Sequence, residues 1–308
     1  MILIKVSDSP VKSNMTREVR QSVDQEVKRY LKTGEHEQNY SAWASHNLIE
    51  CAREMNQILV DALVAEVLRR ESGHRRHLLP EGFSPVTFAR RKFMPMVNGL
   101  FPTRERQAIL DLLEKSLVFL THDNIEQVLR NETWKHTAWD LANLYLGSIG
   151  AQCLGGKPCR LVGLSQETTC YISMAYFEED DPFADFVVHE AAHVFHNCKR
   201  QRVGLPHTRS REWLLQLDFR KRETFAYACE AYGRIMEQAK RPADRKRLQA
   251  EYIEKWLPAA DDRIDREELA NIVAEAVDAR NGWKRILARC APLNRCLSSK
   301  LTSEQACF

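Results

Sequence analysis

The stretch "FVVHEAAHVFHNC", from Phe186 to Cys198, places three histidines and one glutamate in a segment that is otherwise mostly apolar. Its apolar residues recur at the spacing of a buried α-helix. Histidine and glutamate are costly to bury unless each side chain finds a partner. A metal ion is one such partner, so this segment is the first candidate for a functional site.

The centre of the segment is "HEAAH", in which His189 and His193 are four residues apart. Residues at this spacing lie on one face of a helix, so both imidazoles can reach one point in space. Zn²⁺ accepts imidazole nitrogen at roughly 2.0–2.1 Å in a tetrahedral shell. Glu190 lies beside the metal without needing to ligate it, and it can accept a proton from water as the general base of a metalloprotease does. The alternative is a helix whose histidines are satisfied by hydrogen bonds within the core.

Two histidines and a water leave one tetrahedral position for a further Asp, Glu or His. Glu223 opens the helical pattern "ETFAYACEAY", and Glu230 lies further along the same face. His196 shares a face with both histidines of the motif. However, side chains at i, i+4 and i+7 of a straight helix spread over about 10 Å of its axis at ~1.5 Å per residue. We therefore expect His196 to support the site or to line its cleft, not to ligate the ion.

The pair of motifs "HEAAH" and "ETFAYA" resembles the gluzincin metallopeptidases, in which a downstream helix donates a glutamate as the third zinc ligand. The second motif is similar to the third-ligand helix of lethal-factor-type toxin proteases. This resemblance covers roughly residues 170–235 and implies a zincin-like core. It implies that Glu223 is the third ligand and that the upstream strand "TCYISMAYF" is an edge strand that pairs with an extended substrate.

The chain departs from the family pattern at Tyr227, where the family often has an acid that supports the metal-site histidines. Losing such a supporting group commonly costs 10–100-fold in metal affinity or activity. Tyr227, Glu230 or Asp185 is expected to take this role, and Asp185 precedes His189 by one turn. Tyr227 is also a candidate catalytic residue, because its hydroxyl can turn toward the substrate oxyanion. The alternative for Tyr227 is a core aromatic side chain beside Phe225.

The rest of the chain predicts an α+β fold that is mostly helical. Helical spacing covers Asn47 to Glu71, and Thr103 is a plausible N-cap for a helix over "TRERQAILDLLEKSLVFL". Met94 to Pro102, with two prolines and a glycine, is expected to be a loop. The strand candidates are "CRLVGL" and "TCYISMAYF". Further helices are expected in "TAWDLANLYLGSIGA" and near 223–239, 243–256, 265–280 and 283–290.

Two regions follow from this pattern. Residues 1–145 are expected to form a helical N-terminal region that binds a substrate or partner or regulates the protein. Residues 146–308 are expected to form the zincin-like metallopeptidase domain. The "KRQRVGLPHTRSREWLLQLDFRKR" connector between the two ligand helices has eight basic and two acidic residues. It is either a solvated loop or a positive lip that favours acidic substrate segments.

Composition excludes several classes of protein. Hydrophobic residues make up 44% of the 308 residues and charged residues 28%, as in ordinary globular proteins. Because 45 basic and 42 acidic residues leave a net charge of only +3, neither a nucleic acid nor a membrane surface is an expected partner. We find no signal peptide and no apolar run of ~18 residues. The nine scattered cysteines are therefore expected to be reduced thiols in a cytoplasmic protein, although a translocated effector would also lack a cleavable signal.

The sequence thus predicts a zinc-dependent endopeptidase that acts on a protein or peptide substrate. One zinc ion would be held by His189, His193 and Glu223, and Glu190 would be the general base. The alternative is a non-catalytic binding or regulatory protein on the same scaffold, with the metal structural or absent. Glu190 speaks against that alternative, because a purely structural site does not need a carboxylate there.

Overall fold

The computed structural model describes residues 17–37, 47–74, 76–259 and 262–292. Over these residues the chain is α+β and mostly helical, as predicted. The α-helices α1 to α11 are, in chain order, Arg17–Thr33, Leu48–Glu71, Pro85–Leu100, Thr103–Ser116, Ile125–Asn131, Lys135–Ser148, Phe186–Asn197, Arg222–Gln238, Pro242–Glu251, Arg266–Asp278 and Gly282–Cys290. The strands β1 to β3 are Leu117–Leu120, Gly163–Gln166 and Thr169–Ser173. None of the helices in these residues is long and apolar enough to cross a membrane.

The chain divides into two compact units that interleave along the sequence. The first unit comprises the chain up to Phe83 together with Val118–Gln166 and Tyr171–Glu178. The second unit comprises Ser84–Leu117, Glu167–Cys170 and the chain from Glu179 onward. The division expected between residues 145 and 146 does not coincide with these units. The reason is that α3 packs against α7, α8 and α11, which places it with the metal-motif helix and not with the N-terminal helices.

The first unit is a helical assembly built around α2. Asn47 begins this helix by accepting a hydrogen bond from the Ile49 N–H at 3.0 Å, as an N-cap residue does. Helices α1, α5 and α6 pack against α2 and bury a shared apolar core. The Tyr30 hydroxyl of α1 donates to the Lys135 carbonyl at 2.6 Å. The helix predicted over Asn47 to Glu71 is therefore confirmed.

The second unit contains both helices of the "HEAAH" and "ETFAYA" motifs. Helices α7 and α8 pack along each other, and α8 also contacts α10 and α11. Phe225 and Ala226 on α8 and Val187 and Phe195 on α7 are fully buried. The four helices expected after residue 222 are all present, and a π-helical turn over Tyr252–Trp256 extends α9. This packing fixes both motif helices in one apolar environment.

The three strands form one sheet in the order β1-β3-β2. The prediction that "TCYISMAYF" is an edge strand is therefore wrong, because β3 is the central strand and pairs on both sides. Its residues Cys170, Ile172 and Ser173 are fully buried. The strand also ends at Ser173, and Met174–Glu178 turn into a 3₁₀-helix. A central strand has no unpaired edge with which to bind an extended peptide.

Two further predictions about elements are corrected. The expected loop from Met94 to Pro102 is largely the second half of α3, with Pro95 inside the helix. An interior proline costs roughly 3 kcal/mol, but Pro95 lies on the exposed side while Phe93, Met96 and Val97 are fully buried.

The helix expected over residues 103–120 ends at Ser116, because "LVFL" pairs with β3 as strand β1.

Candidate metal centre

The metal motif lies on α7, which begins immediately after Asp185. The Asp185 carboxylate accepts a hydrogen bond from the Val188 N–H at 3.4 Å and so acts as the N-cap. His189 and His193 project from one face of this helix, with ring centroids 5.0 Å apart. Most of its other buried residues are apolar: Val187, Val188, Ala191, Ala192, Val194 and Phe195. The position of both imidazoles is therefore set by the packing of the whole helix.

Helix α8 brings a carboxylate to these two rings. The Oε2 atom of Glu223 lies 3.7 Å from Nε2 of His189 and 3.7 Å from Nε2 of His193. One ligand atom from each of the three residues lies within 4.8 Å of the other two. Ligand atoms around a tetrahedral ion with bonds of ~2.0–2.1 Å are about 3.3–3.4 Å apart. Both nitrogen–oxygen distances are therefore close to the required separation, and the group could hold a metal ion.

The second oxygen of Glu223 points to a different partner. Its Oε1 atom lies 3.4 Å from the guanidinium of Arg263, a largely exposed residue between α9 and α10. Oε2 is the atom that contacts both imidazoles. Oε2 is thus placed to form one metal–oxygen bond, while Oε1 forms an ion pair with Arg263.

The second ring nitrogen of each imidazole, Nδ1, contacts a neighbouring side chain. Nδ1 of His189 lies 3.0 Å from Oε2 of Glu230, and Nδ1 of His193 lies 3.0 Å from Nε2 of His196. An ionised carboxylate can only accept a hydrogen bond, so Nδ1 of His189 carries a proton and donates it. Nε2, the atom that faces Glu223, is then the ring nitrogen left to bind an ion in place of a proton. Such contacts orient the histidines of metal sites.

Glu230 is itself held by the start of α7. Its Oε1 atom accepts a hydrogen bond from the Asp185 N–H at 2.7 Å. The Asp185 carboxylate in turn accepts from Nζ of Lys92 on α3 at 2.9 Å, and the same ammonium contacts Glu237 at 3.1 Å. Of the three residues expected to support His189, Glu230 therefore does so directly and Asp185 acts through its backbone. Lys92 was not anticipated, because it lies 93 residues from Asp185 and no local pattern marks it.

Tyr227 packs against the site at His189. Its ring lies edge-to-face on His189, with centroids 4.5 Å apart and planes at 78°. The side chain is half-buried, unlike its fully buried neighbours Phe225 and Ala226. Tyr227 therefore contacts a histidine of the candidate metal site, whereas its expected part in catalysis stays a prediction.

The side chains of the site shift the pKa values of His189, His193 and Glu223. Burial by itself would lower the pKa of His189, but hydrogen bonds to Glu223 and Glu230 and the charge of Glu190 outweigh burial and raise this pKa to about 10. Burial and the charge of His189 hold the pKa of His193 below its usual range. The hydrogen bond to His189 holds the pKa of Glu223 below its usual range. Three carboxylates therefore raise the pKa of His189, and their negative charge also favours the binding of a cation beside this residue.

Glu190 is buried next to these residues, with 8% of its surface exposed. Its charge contributes to the raised pKa of His189. It also adds to the effect of burial in raising the pKa of the Cys170 thiol on β3. The group that could hold a metal ion consists of His189, His193 and Glu223. Glu190 therefore lies beside these three residues as a buried carboxylate, and its role as a general base stays a prediction.

The basic connector between α7 and α8 is largely neutralised. Arg200 is fully buried and donates to Glu105 at 2.8 Å, which anchors the connector to α4. Arg211 also lies 3.6 Å from Glu105. Lys199, Arg202 and Lys221 form ion pairs with Glu212, Glu167 and Glu268. With these five basic residues paired, the connector is a weak candidate for a positive lip.

Comparison of the chain with protein-family models, with curated proteins and with solved structures finds no match. The resemblance to gluzincins therefore stays a prediction from the residues of the two motifs.

Proposed function

We propose that this protein is a zinc-dependent endopeptidase that hydrolyses peptide bonds in a protein or peptide substrate. The observation that supports this proposal most is the approach of Glu223 to Nε2 of both His189 and His193, with Glu190 buried beside the first histidine. Two imidazoles and one carboxylate are a donor set that zinc uses in peptidases, with a further position open. The proposed ligands are His189, His193 and Glu223.

The chemistry divides between the ion and the chain. A bound zinc ion would supply Lewis acidity, which acidifies water and polarises a peptide carbonyl. The Glu190 carboxylate then accepts a proton from water and passes it to the nitrogen of the leaving amine. Glu230 holds the proton on Nδ1 of His189, and His196 orients His193. The Tyr227 hydroxyl is the proposed donor to the oxygen of the cleaved carbonyl.

The glutamine variant Glu190→Gln tests this proposal. It keeps the shape of the side chain but cannot accept the proton, and general acid–base catalysis contributes roughly 10²–10⁴-fold to a rate. We expect purified wild-type protein to bind about one equivalent of zinc and to cleave substrates identified by proteome-wide N-terminal profiling. We expect Glu190→Gln to bind the same zinc and to lose cleavage by at least about 10²-fold.

The control is Glu179→Gln, which makes the same change at an exposed acid before α7. Metal content is measured by elemental mass spectrometry and folding by circular dichroism. If Glu190→Gln cleaves as well as the wild type at equal zinc occupancy, the endopeptidase proposal fails. The alternative of a binding or regulatory protein with a structural metal would then be preferred.

A further inference from the structure

A cavity of about 250 Å³ lies in the second unit, beside the metal centre. Its walls come from the segment before α7, from α8 and from the π-helical turn over Tyr252–Trp256. Tyr227 links the cavity to the site, because its side chain lines the cavity and its ring packs on His189. A group that enters the cavity is therefore next to a proposed zinc ligand.

The walls combine aromatic rings with negative charge. Two acids, Asp181 and Glu230, line the cavity, and its lining includes no lysine, arginine or histidine among the residues that the structure describes. The aromatic lining residues are Phe183, Phe186, Tyr227, Tyr252 and Trp256. The ring of Phe183 lies 5.4 Å from that of Tyr252 and 6.5 Å from that of Trp256, so these three form one aromatic wall.

The charge of Glu230 affects two other residues that line the cavity. Burial raises the pKa of Asp181, and the charge of Glu230 raises it further. Burial also raises the pKa of Tyr252, with added contributions from Glu230 and Asp181. The nearby Arg234 guanidinium contacts the Pro182 carbonyl at 3.0 Å and Glu237 at 2.8 Å. Negative charge in the cavity is thus close to aromatic faces, and no lysine, arginine or histidine pairs with it from the described part of the lining.

A positively charged group suits such walls. Aromatic faces attract ammonium and guanidinium groups, and a carboxylate supplies an ionic hydrogen bond to the same group. The Asp181 carboxylate can make this contact. Its Oδ1 atom accepts a hydrogen bond from the Phe183 N–H at 2.8 Å, and this bond holds the carboxylate in place. The volume is below the ~300–1,000 Å³ of clefts that hold drug-sized ligands. One long side chain is therefore a better fit than a whole small molecule.

We propose that this cavity binds an arginine or lysine side chain of the peptide substrate, with Asp181 as its ionic partner. The inference rests on the proposed endopeptidase function and adds the class of side chain that the site selects. It predicts that a basic residue occupies one fixed position relative to the cleaved bond. Asp181 is in this case a specificity-determining residue, whereas Glu230 contributes its charge while holding His189.

The experiment compares arginine with citrulline, which has nearly the same shape and no charge. In the first arm, binding of N-acetyl-argininamide and N-acetyl-citrullinamide to the full chain is measured by NMR titration, which requires no cleavage. In the second arm, cleavage sites of the zinc-loaded protein are profiled in a peptide library. Both arms use the wild type, Asp181→Asn and the matched control Asp180→Asn, which neutralises the adjacent exposed acid.

We expect the wild type and Asp180→Asn to prefer arginine over citrulline by about 10-fold or more in both arms. Asp181→Asn keeps the Oδ1 acceptor for Phe183, so it should fold normally and lose most of this preference. A charge reversal, Asp181→Lys, should shift the library profile toward acidic residues.

The outcomes separate the two proposals. Cleavage without a basic preference, together with equal binding of both amides, overturns the inference and leaves the endopeptidase function standing. Preferential arginine binding that requires Asp181, without cleavage of any library peptide at full zinc occupancy, overturns the proposed function while supporting cation recognition by the cavity. An unchanged arginine preference in Asp181→Asn also overturns the inference.

Discussion

At the scale of single residues, the candidate metal centre depends on which side chains contact the Nδ1 atoms of the two imidazoles. Glu230 contacts Nδ1 of His189 and also the backbone at the start of α7, so it ties the histidine to the helix terminus. His196 contacts Nδ1 of His193 from the same helix. These two contacts leave both Nε2 atoms directed at Glu223. The residues that orient the ligands are therefore separate from the ligands themselves.

This separation predicts an order of zinc affinities. Glu230→Gln should weaken zinc binding by roughly 10–100-fold, because His189 loses the partner that orients it. Glu223→Ala should weaken binding more, because it removes a ligand, and His196→Ala should weaken it less than Glu223→Ala. Affinity is measured by competition with a zinc-sensitive indicator. Glu267→Gln, at an exposed position on α10, is the control and should bind zinc as the wild type does.

The opposite order would refute the ligand assignment. If His196→Ala removes the metal while Glu223→Ala retains it, then His196 is a ligand and α7 must distort to bring three histidines together. Equal losses for Glu230→Gln and Glu267→Gln would instead show that the contact between Glu230 and His189 does not orient the site.

At the scale of elements, the second unit depends on close packing between α3 and α11. Gly99 lies near the end of α3, and a Cβ atom at this position would lie 2.1 Å from Cδ1 and 2.4 Å from Cγ of Trp283. Trp283 is buried on α11. Glycine is therefore required at residue 99 to admit the indole ring, although glycine weakens a helix interior by roughly 0.5–1 kcal/mol relative to alanine.

We predict that Gly99→Ala lowers the free energy of unfolding by about 1–3 kcal/mol, because overpacking outweighs the gain in helix propensity. The measurement is urea unfolding followed by circular dichroism. The double variant Gly99→Ala/Trp283→Leu tests the cause, since a smaller residue at 283 should make the alanine less costly. If the alanine costs the same with tryptophan and with leucine, the close approach is not the reason.

The elements also show where local patterns are sufficient. Helix α2 follows from an apolar repeat and an N-cap at Asn47, and both are local features. Helix α3 cannot be predicted from local patterns in this way. Pro95 is a local signal for a break, whereas the burial of Phe93, Met96 and Val97 is a feature of the tertiary structure. The central place of β3 likewise depends on pairing with β1, a segment about fifty residues earlier in the chain.

At the scale of the whole molecule, all three proposed ligands lie in one unit, on two helices that pack together. An ion that binds the folded second unit and not the unfolded chain stabilises that unit by mass action. At a free zinc concentration 100 times the dissociation constant, this stabilisation is about 2.7 kcal/mol. Metal removal is therefore a test of the site that does not depend on a known substrate.

We predict that a chelator lowers the Tm of the zinc-loaded wild type by several degrees. The His193→Ala variant, which lacks a ligand, should have a lower Tm at the outset and should show little further change with chelator. Differential scanning calorimetry measures both. An identical response of the wild type and His193→Ala to chelator would place the ion, or the effect of the chelator, elsewhere in the protein.

Local geometry alone accounts for part of this site. Residues four apart on a helix must share a face, so the pairing of His189 with His193 and the place of Glu190 beside them were predictable from "HEAAH". The choice of Glu223 came from the resemblance of "ETFAYA" to a third-ligand helix, and the approach of its carboxylate to both imidazoles is consistent with it.

Tertiary packing decided the rest. Whether Tyr227, Glu230 or Asp185 supports His189 depends on the rotation of α8 against α7, which sequence spacing does not specify. Lys92 and Asp181 carry no local signal, because their partners are brought near them only by the fold. The same reason explains the interleaved units and the central strand: contacts between distant segments depend on burial shared by many residues, whereas helical periodicity depends only on neighbours along the chain.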